Sequence, residues 1–249
     1  MRGIVLAAGI GKRLRPFTNF IAKSLLPIGG RPAIIQILED FNALNISEIA
    51  VVISHLGYQI RDYLDKGDYR VTYIDEGKPL GTGHALLVAS DFIQDDVLVA
   101  ATDCILPREH LKELCAYHLA EKCDVTLSLK MLSEEEMLSS ATVVLEKDNS
   151  ISRIIEKPTR DEILSNVASS PYYVVNESIK RYLPRVKLSR RGEYELADAF
   201  QMMIDDGLKV KGVLSEEYMH LSNIQDLIAL NKDFFSRGTK QENKDKWTL

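Results

Sequence analysis

Short apolar runs separated by amphipathic stretches constrain this chain more than any other feature. Ile4–Leu6, Ile49–Ile53, Val71–Ile74, Val97–Ala101 and Val125–Leu129 are too short for helices. Ile4–Leu6, Ile49–Ile53 and Val97–Ala101 are apolar at successive positions, as strands buried on both faces are. Between them, Ile34, Ile35, Ile37, Leu38 and Phe41 follow helical spacing after Gly29-Gly30-Arg31-Pro32, which places Pro32 in the first turn of a helix. Tyr58–Leu64 reads as a helix that Gly67 stops, and Leu111–Ala120 as another. Ser133–Leu138 reads as a short acidic helix, Thr142–Leu145 and Ile151–Ile155 as a hairpin, and Ser170–Val175 as a strand. A helix to about Asp205, a last strand Val210–Leu214 and a final helix complete the pattern. Such alternation predicts an α/β architecture on a largely parallel sheet.

The first strand runs into an unusual turn. Ile4-Val5-Leu6-Ala7-Ala8-Gly9-Ile10-Gly11 is followed by Lys12, Arg13, Arg15 and Lys23, against a chain whose net charge is −5. Glycines permit close approach and backbone angles that a side chain forbids. Successive N–H groups in such a turn can meet an anion. A polyphosphate site is one reading, and a solvated basic turn is the other. The dinucleotide fingerprint fits poorly, because Leu14 takes the third glycine position and the next acid is Glu39. Gly11-Lys12-Arg13 lacks the spacing and the hydroxyl of a P-loop.

The balance of charge argues against nucleic-acid or anionic-membrane binding as the main role. Three cysteines, Cys104, Cys115 and Cys123, form no C-x-x-C pair, so neither a disulfide framework nor a zinc site is indicated, and a reducing cytoplasm fits. No apolar run approaches the ~20 residues of a membrane span. The apolar start is too short for a signal peptide and leads into Lys12-Arg13 rather than a cleavage site. One domain over residues 1–236 with a polar tail over 237–249 accommodates the whole pattern.

Further candidate residues lie at element ends. Gly81-Thr82-Gly83 opens an apolar helix, where free N–H groups or an ordinary strand-to-helix turn are both open readings. Asp103 follows the strand Val97–Ala101, where ligands of open α/β sheets bind. A carboxylate there suits a hard cation, or it caps the helix after Pro107. Glu156-Lys157-Pro158 joins a hydroxyl acceptor to a point charge for phosphate, although the tripeptide is also a common surface turn.

Taken with the stretch Lys23-Ser24-Leu25-Leu26-Pro27, the first motif resembles the signature of the sugar-phosphate nucleotidyltransferases, L-A-A-G-x-G-[ST]-R-L-x-P-x-T followed by P-K-P-x-x-P-[IV]. Lys12, Ala22 and Ser24 depart from it. Pro79–Leu86, Thr102-Asp103, Glu156-Lys157-Pro158, Gly192–Asp198 and Tyr218–Leu227 resemble later motifs of that family in the same order. The resemblance implies a Rossmann-like three-layer αβα sandwich with a mostly parallel, mixed sheet. It implies a cytoplasmic, Mg²⁺-dependent enzyme joining an NTP to a sugar 1-phosphate, with release of pyrophosphate. Family members often form dimers or tetramers, which leaves a homo-oligomer open.

The resemblance assigns Leu6, Ala7, Ala8, Gly9, Gly11, Lys12, Gly81 and Thr82 to nucleotide binding. Arg13, Lys23 and Asp103 become catalytic, with Asp103 on Mg²⁺. Glu156, Lys157 and Tyr173 fall to the sugar phosphate. Glu76 takes the base-reading position. A carboxylate suits the two donors of guanine, which favours GTP over UTP or dTTP. His220 stands where the family has a second metal-binding Asp; with Thr142 and Pro171, in place of glycines, it alters the expected acceptor pocket. That departure keeps a rival alive, a non-catalytic regulatory relative that binds nucleotide or nucleotide-sugar. A glycosyltransferase of related architecture would carry an Asp-x-Asp motif, which Thr102-Asp103-Cys104-Ile105 does not supply.

Overall fold

Residues 1–67 and 69–238 are described in a computed structural model. The first half contains β1 (Arg2–Leu6), a short ribbon of β2 (Pro27–Ile28) and β3 (Arg31–Pro32), α1 (Ala33–Ala43), β4 (Ile49–Ile53), α2 (Gly57–Lys66), β5 (Thr72–Asp75), α3 (Thr82–Val88) and β6 (Val97–Ala101). The second half contains β7 (Cys104–Ile105), α4 (Arg108–Glu121), β8 (Val125–Met131), α5 (Glu134–Met137), β9 (Ala141–Leu145), β10 (Ile151–Glu156), β11 (Val167–Val175), α6 (Leu196–Asp205), β12 (Val210–Leu214), β13 (Met219–His220) and α7 (Ile224–Gly238). The tail expected over 237–249 begins inside α7, which runs to Gly238; from residue 239 onward it lies outside the described residues.

The expected mixed α/β sandwich is present. Nine strands form one sheet, running β10-β9-β11-β6-β1-β4-β5, with β8 on β11 and β12 on β8. Strands β6, β1, β4 and β5 are parallel throughout. β11 runs antiparallel to β6, β8 and β9 and stitches the second half on. Alternation along β1 sends Ile4, Leu6 and Ala8 into one core and Val5 and Ala7 into the other. Helices α3 and α6 cover the first face, and α1, α2 and α4 the second. Every residue of β4 is buried, as its apolar run requires.

Two differences from the sequence reading bear on the site. Pro32 does not enter the helix; it pairs with Pro27 in the small ribbon, and α1 begins at Ala33. Val210–Leu214 is not the last strand, because Met219–His220 pairs antiparallel with Cys104–Ile105. Leu221 N–H also donates to Asp103 O at 2.8 Å. A two-residue strand leaves no periodicity in sequence, so only its partner reveals it.

Along β11 the register shifts between Ser169 and Tyr173. Pro171 sits there, and its missing N–H fits a bulge better than a ladder. Thr142 does not line the expected acceptor pocket. It is wholly buried and braces the loop before β11. Its Oγ1 accepts from Leu164 N–H and Ser165 N–H at 3.2 and 3.3 Å and donates to Ser165 O at 3.2 Å. All three cysteines are free. Among the described residues no helix is long and apolar enough to cross a membrane.

Thr142→Val keeps the shape and strands two half-buried N–H groups, those of Leu164 and Ser165. It is expected to lower stability by about 1–3 kcal/mol, read as a drop in the urea midpoint with an unchanged slope.

Candidate active site

The parallel strands end in a cleft of about 390 Å³, the position where open α/β sheets bind ligands. Its first wall is the turn after β1. Gly11 adopts φ +68, in the left-handed region, and a Cβ there would lie 2.9 Å from Thr18 Cγ2. Gly9 is different: a Cβ would meet nothing within 4 Å, so its open side faces space that a ligand can use. Among the described residues, none of the N–H groups from Ala8 to Arg13 finds an acceptor. Exposed Lys12 and Arg13 line the same wall and make no ion pair there. Unsatisfied donors and unpaired cations at one glycine turn suit a polyphosphate.

Lys23, at the start of a 3₁₀ turn, crosses to the end of β6. Its Nζ donates to Asp103 Oδ2 at 3.0 Å. The β7–β13 ribbon holds His220 beside this pair, and buried Tyr172 donates from its hydroxyl to Cys104 O at 2.9 Å. Burial pushes the Asp103 carboxyl up, but Lys23 and His220 outweigh it and hold it well below the ordinary range. Burial lowers His220 below its usual value, against the pull of Asp103. Asp103 Oδ1 is buried and accepts from no donor. Mg²⁺ usually takes one or two carboxylates plus substrate phosphates, so this orphan oxygen fits one such ion. No cluster of three or more acidic, histidine or cysteine residues able to cage a metal occurs among the described residues.

The opposite wall comes from the β10 end. Lys157 is held at φ 45 although it precedes Pro158, a conformation that side chains and a following proline both disfavour. Its N–H donates to Ser140 O at 2.8 Å, and its Nζ lies 3.3 Å from Glu156 Oε1. Strain of this kind collects at ligand sites. Burial raises the Glu156 carboxyl, Lys157 lowers it in part, and Glu195 adds to the rise. Tyr173 lines the cleft with its ring tilted on Phe200, and Pro171 and His220 join it.

The roof is the loop before α3. Gly83 N–H donates to Tyr194 O and Tyr194 N–H to Leu80 O, both at 2.8 Å, so the stretch before α6 is laced onto Gly81-Thr82. Glu76 is buried at the loop's foot. Its Oε1 accepts from Leu80 N–H at 3.0 Å and lies 2.9 Å from His84 Nδ1. Guanine's edge asks for two free acceptors, and one of Glu76's oxygens is already engaged. With that oxygen engaged, the contacts of Glu76 alone do not single out GTP over UTP or dTTP.

Leu6, Ala8, Gly9, Gly11, Lys12, Arg13, Lys23, Glu76, Gly81, Thr82, Asp103, Glu156, Lys157, Tyr173 and His220 all line this one cleft. Ala7 does not; its methyl packs in the opposite core and its N–H donates to Val52 O at 2.9 Å. Arg15 is also absent from the lining. Sequence reasoning missed Lys130, Ser140 and Arg191, which line it too. Lys130 had a signal in sequence: it continues the alternation of Thr126 and Ser128 along one face of β8.

The family model described as Nucleotidyl transferase matches residues 2–237. The bifunctional protein GlmU of Methanococcus maripaludis is 33% identical over 238 residues, 95% of this chain and 55% of that protein. A glucose-1-phosphate thymidylyltransferase of Streptomyces griseus is 29% identical over 237 residues, covering 93% of this chain and 65% of that protein. The chain thus spans about half the length of the GlmU relatives it matches. The structure of a UDP-glucose pyrophosphorylase complexed with UDP-glucose superposes with TM-score 0.85 at 19% identity, over 95% of this chain and 98% of that one.

Gly11→Ala forces a side chain into a left-handed turn against Thr18, and is expected to cost about 1–3 kcal/mol of stability. Gly9→Ala leaves the melting temperature near wild type yet weakens nucleotide binding. Calorimetric titration with a nonhydrolysable NTP separates the two; equal binding by Gly9→Ala and wild type contradicts the cradle.

Proposed function

This chain belongs to the nucleotidyl transferase family, and from that premise we propose that it joins an NTP to a sugar 1-phosphate, giving a nucleotide-sugar and pyrophosphate. One observation carries the reading. The glycine turn at Gly9–Arg13, the Lys23–Asp103 pair and the Glu156–Lys157 turn come from three distant parts of the sequence and open into one cleft.

In the proposed reaction an oxygen of the sugar phosphate attacks the α-phosphorus in line. A new P–O bond forms as the bond to pyrophosphate breaks, with no covalent enzyme intermediate. The work is positioning and charge neutralisation. The free N–H groups after Ala7 and the Gly81-Thr82 loop hold the nucleotide. Arg13 takes up charge on the departing pyrophosphate, and Lys23 neutralises the α-phosphate. Lys157 fixes the attacking phosphate while Glu156 accepts from a sugar hydroxyl. Mg²⁺, held by Asp103 Oδ1 with His220 beside it, would supply Lewis-acid charge neutralisation to the phosphates. Lys23 keeps the other Asp103 oxygen occupied and so aims Oδ1.

A regulatory relative that only binds nucleotide draws its support from His220. Against it stands the set of unpaired donors and cations, which a binding module has less use for. The nucleobase is tested rather than inferred. Pyrophosphate release across GTP, UTP, dTTP, CTP and ATP, with a panel of sugar 1-phosphates, identifies it.

Arg13→Ala is expected to lower kcat by about a hundredfold or more with an unchanged melting temperature; near-wild-type turnover removes Arg13 from the mechanism. The raised Glu156 carboxyl gives a second expectation. A sugar hydroxyl donates to the ionised carboxylate, so KM for the acceptor rises as pH falls from neutral, before an ordinary glutamate would titrate. Glu156→Gln flattens that rise, and a profile identical to wild type would falsify the assignment.

A further inference from the structure

The cleft opens sideways into a second cavity of about 300 Å³. Two side chains of permanent positive charge line both spaces, Arg13 and Lys130. Lys130 is 1% exposed and sits within the sheet, where it pairs with Ala168 of β11. Among the described residues it makes no hydrogen bond and no ion pair, and its Nζ lies over the ring of Tyr218, 4.4 Å from the centroid. A buried ammonium is unfavourable unless it is paired and hydrogen-bonded, and an aromatic face covers only one side of it.

The polar groups around the junction are already engaged. Glu136 Oε2 accepts from Ser133 N–H and Oγ at 3.0 and 2.6 Å. Asp226 Oδ2 accepts from Ser222 N–H and Asn223 N–H at 2.8 and 3.1 Å. Neither acid pairs with Lys130 or with Arg13. Ser139 Oγ donates to Glu136 O at 3.0 Å, and Ser140 Oγ to Ser169 O at 3.3 Å. The charged donors left open are the ammonium of Lys130 and the guanidinium of Arg13.

What the side cavity lacks narrows its ligand. None of Glu156, Lys157 and Tyr173 lines it, nor does Gly81 or Thr82. The acceptor's residues and the loop that holds the nucleotide are therefore both elsewhere. Of the side chains given a role in the proposed reaction, only Arg13 and His220 reach this cavity. Arg13 is the one placed at the departing pyrophosphate. An anion that engages Arg13 and extends past the junction meets Lys130, and a diphosphate has phosphate oxygens at both ends for two cations.

We propose that Arg13 and Lys130 together form a diphosphate site at the junction of the two cavities, with Lys130 as its buried second cation. Two sources share that chemistry: the leaving end of the NTP, and free pyrophosphate. The first source rests on the nucleotidyl-transfer reading. Binding of pyrophosphate itself is measurable without turnover.

Calorimetric titration with inorganic pyrophosphate, orthophosphate and glucose 1-phosphate is the test. Wild type is expected to bind pyrophosphate about tenfold tighter than orthophosphate. Lys130→Met removes an unpaired charge and keeps the buried stem, so it is expected to fold; Lys130→Gln takes its place if it does not. Either variant weakens pyrophosphate binding about tenfold and leaves glucose 1-phosphate binding near wild type, whereas Lys130→Arg retains most of the pyrophosphate affinity. Equal affinity for pyrophosphate and orthophosphate, pyrophosphate binding unmoved by the loss of Lys130, or an equal loss of glucose 1-phosphate binding each overturn the proposal. Turnover separates the two sources. Where the leaving end occupies the site, Lys130→Met raises the KM of the NTP together with the inhibition constant of pyrophosphate; where free pyrophosphate alone does, only the inhibition constant rises. Lys130-dependent pyrophosphate binding with no release from any NTP–sugar pair removes the transfer reading and leaves the site standing. Release with binding that ignores Lys130 does the reverse.

Discussion

The contact between Lys23 Nζ and Asp103 Oδ2, at 3.0 Å, is the interaction on which the cleft depends. It joins residues eighty positions apart, one in the loop after β1 and the other at the end of β6. The strands are neighbours in the sheet, but the sheet does not tell the loop where to lie. The ion pair does. Both side chains are largely removed from water, so each would be left uncompensated without the other, and breaking such a pair is far costlier than its net contribution suggests. Because the Asp103 carboxyl is held below its ordinary range, the stability it contributes is present above the unfolded value. That stability is lost only as pH falls through the depressed one.

Around this pair the chain has assembled opposing requirements. Phosphates need unpaired donors, and folding penalises them. The turn after β1 resolves the conflict by leaving its N–H groups open to the cleft rather than to the core, while Gly11 makes the reversal and Leu14 anchors it in the interior. On the far wall the same conflict appears as backbone strain at Lys157, kept in place by the bond from its N–H to Ser140 O. The roof solves it through Glu76, whose carboxylate satisfies Leu80 N–H and faces His84. Glu76 thus braces the roof through one oxygen while it lines the cleft.

Most of the architecture was legible because buried parallel strands write themselves as unbroken apolar runs, and Ile49–Ile53 or Val97–Ala101 leave no other assignment. The site was legible where chemistry needs rare combinations, as at Gly9–Arg13 and Glu156–Lys157. It was illegible where a residue's role depends on which way a pleat faces. Ala7 and Ala8 are adjacent and alike, yet one belongs to the rear core and the other to the cleft. Thr142, expected in the pocket, lies one place past Ala141, which lines it. The reading of β8 ended at Leu129, one residue short of Lys130, which lines the cleft.

Charge connects these local solutions. The chain carries a net −5, yet Lys12, Arg13, Lys23, Lys130, Lys157 and Arg191 all face one cleft. A concave site lined by cations in an acidic molecule focuses its field on anionic ligands and raises their local concentration. His220 lines the same cleft beside Asp103. Burial keeps its imidazole below the usual value, so beside Asp103 it offers a neutral nitrogen rather than a second negative oxygen. Within the cleft Lys23 pairs with Asp103, Lys157 with Glu156 and Arg191 with Glu193 and Glu195, while Lys12 and Arg13 make no ion pair among the described residues. Charge left open at the glycine turn is thereby available to an anionic ligand, while the paired cations are already held in place by their acids.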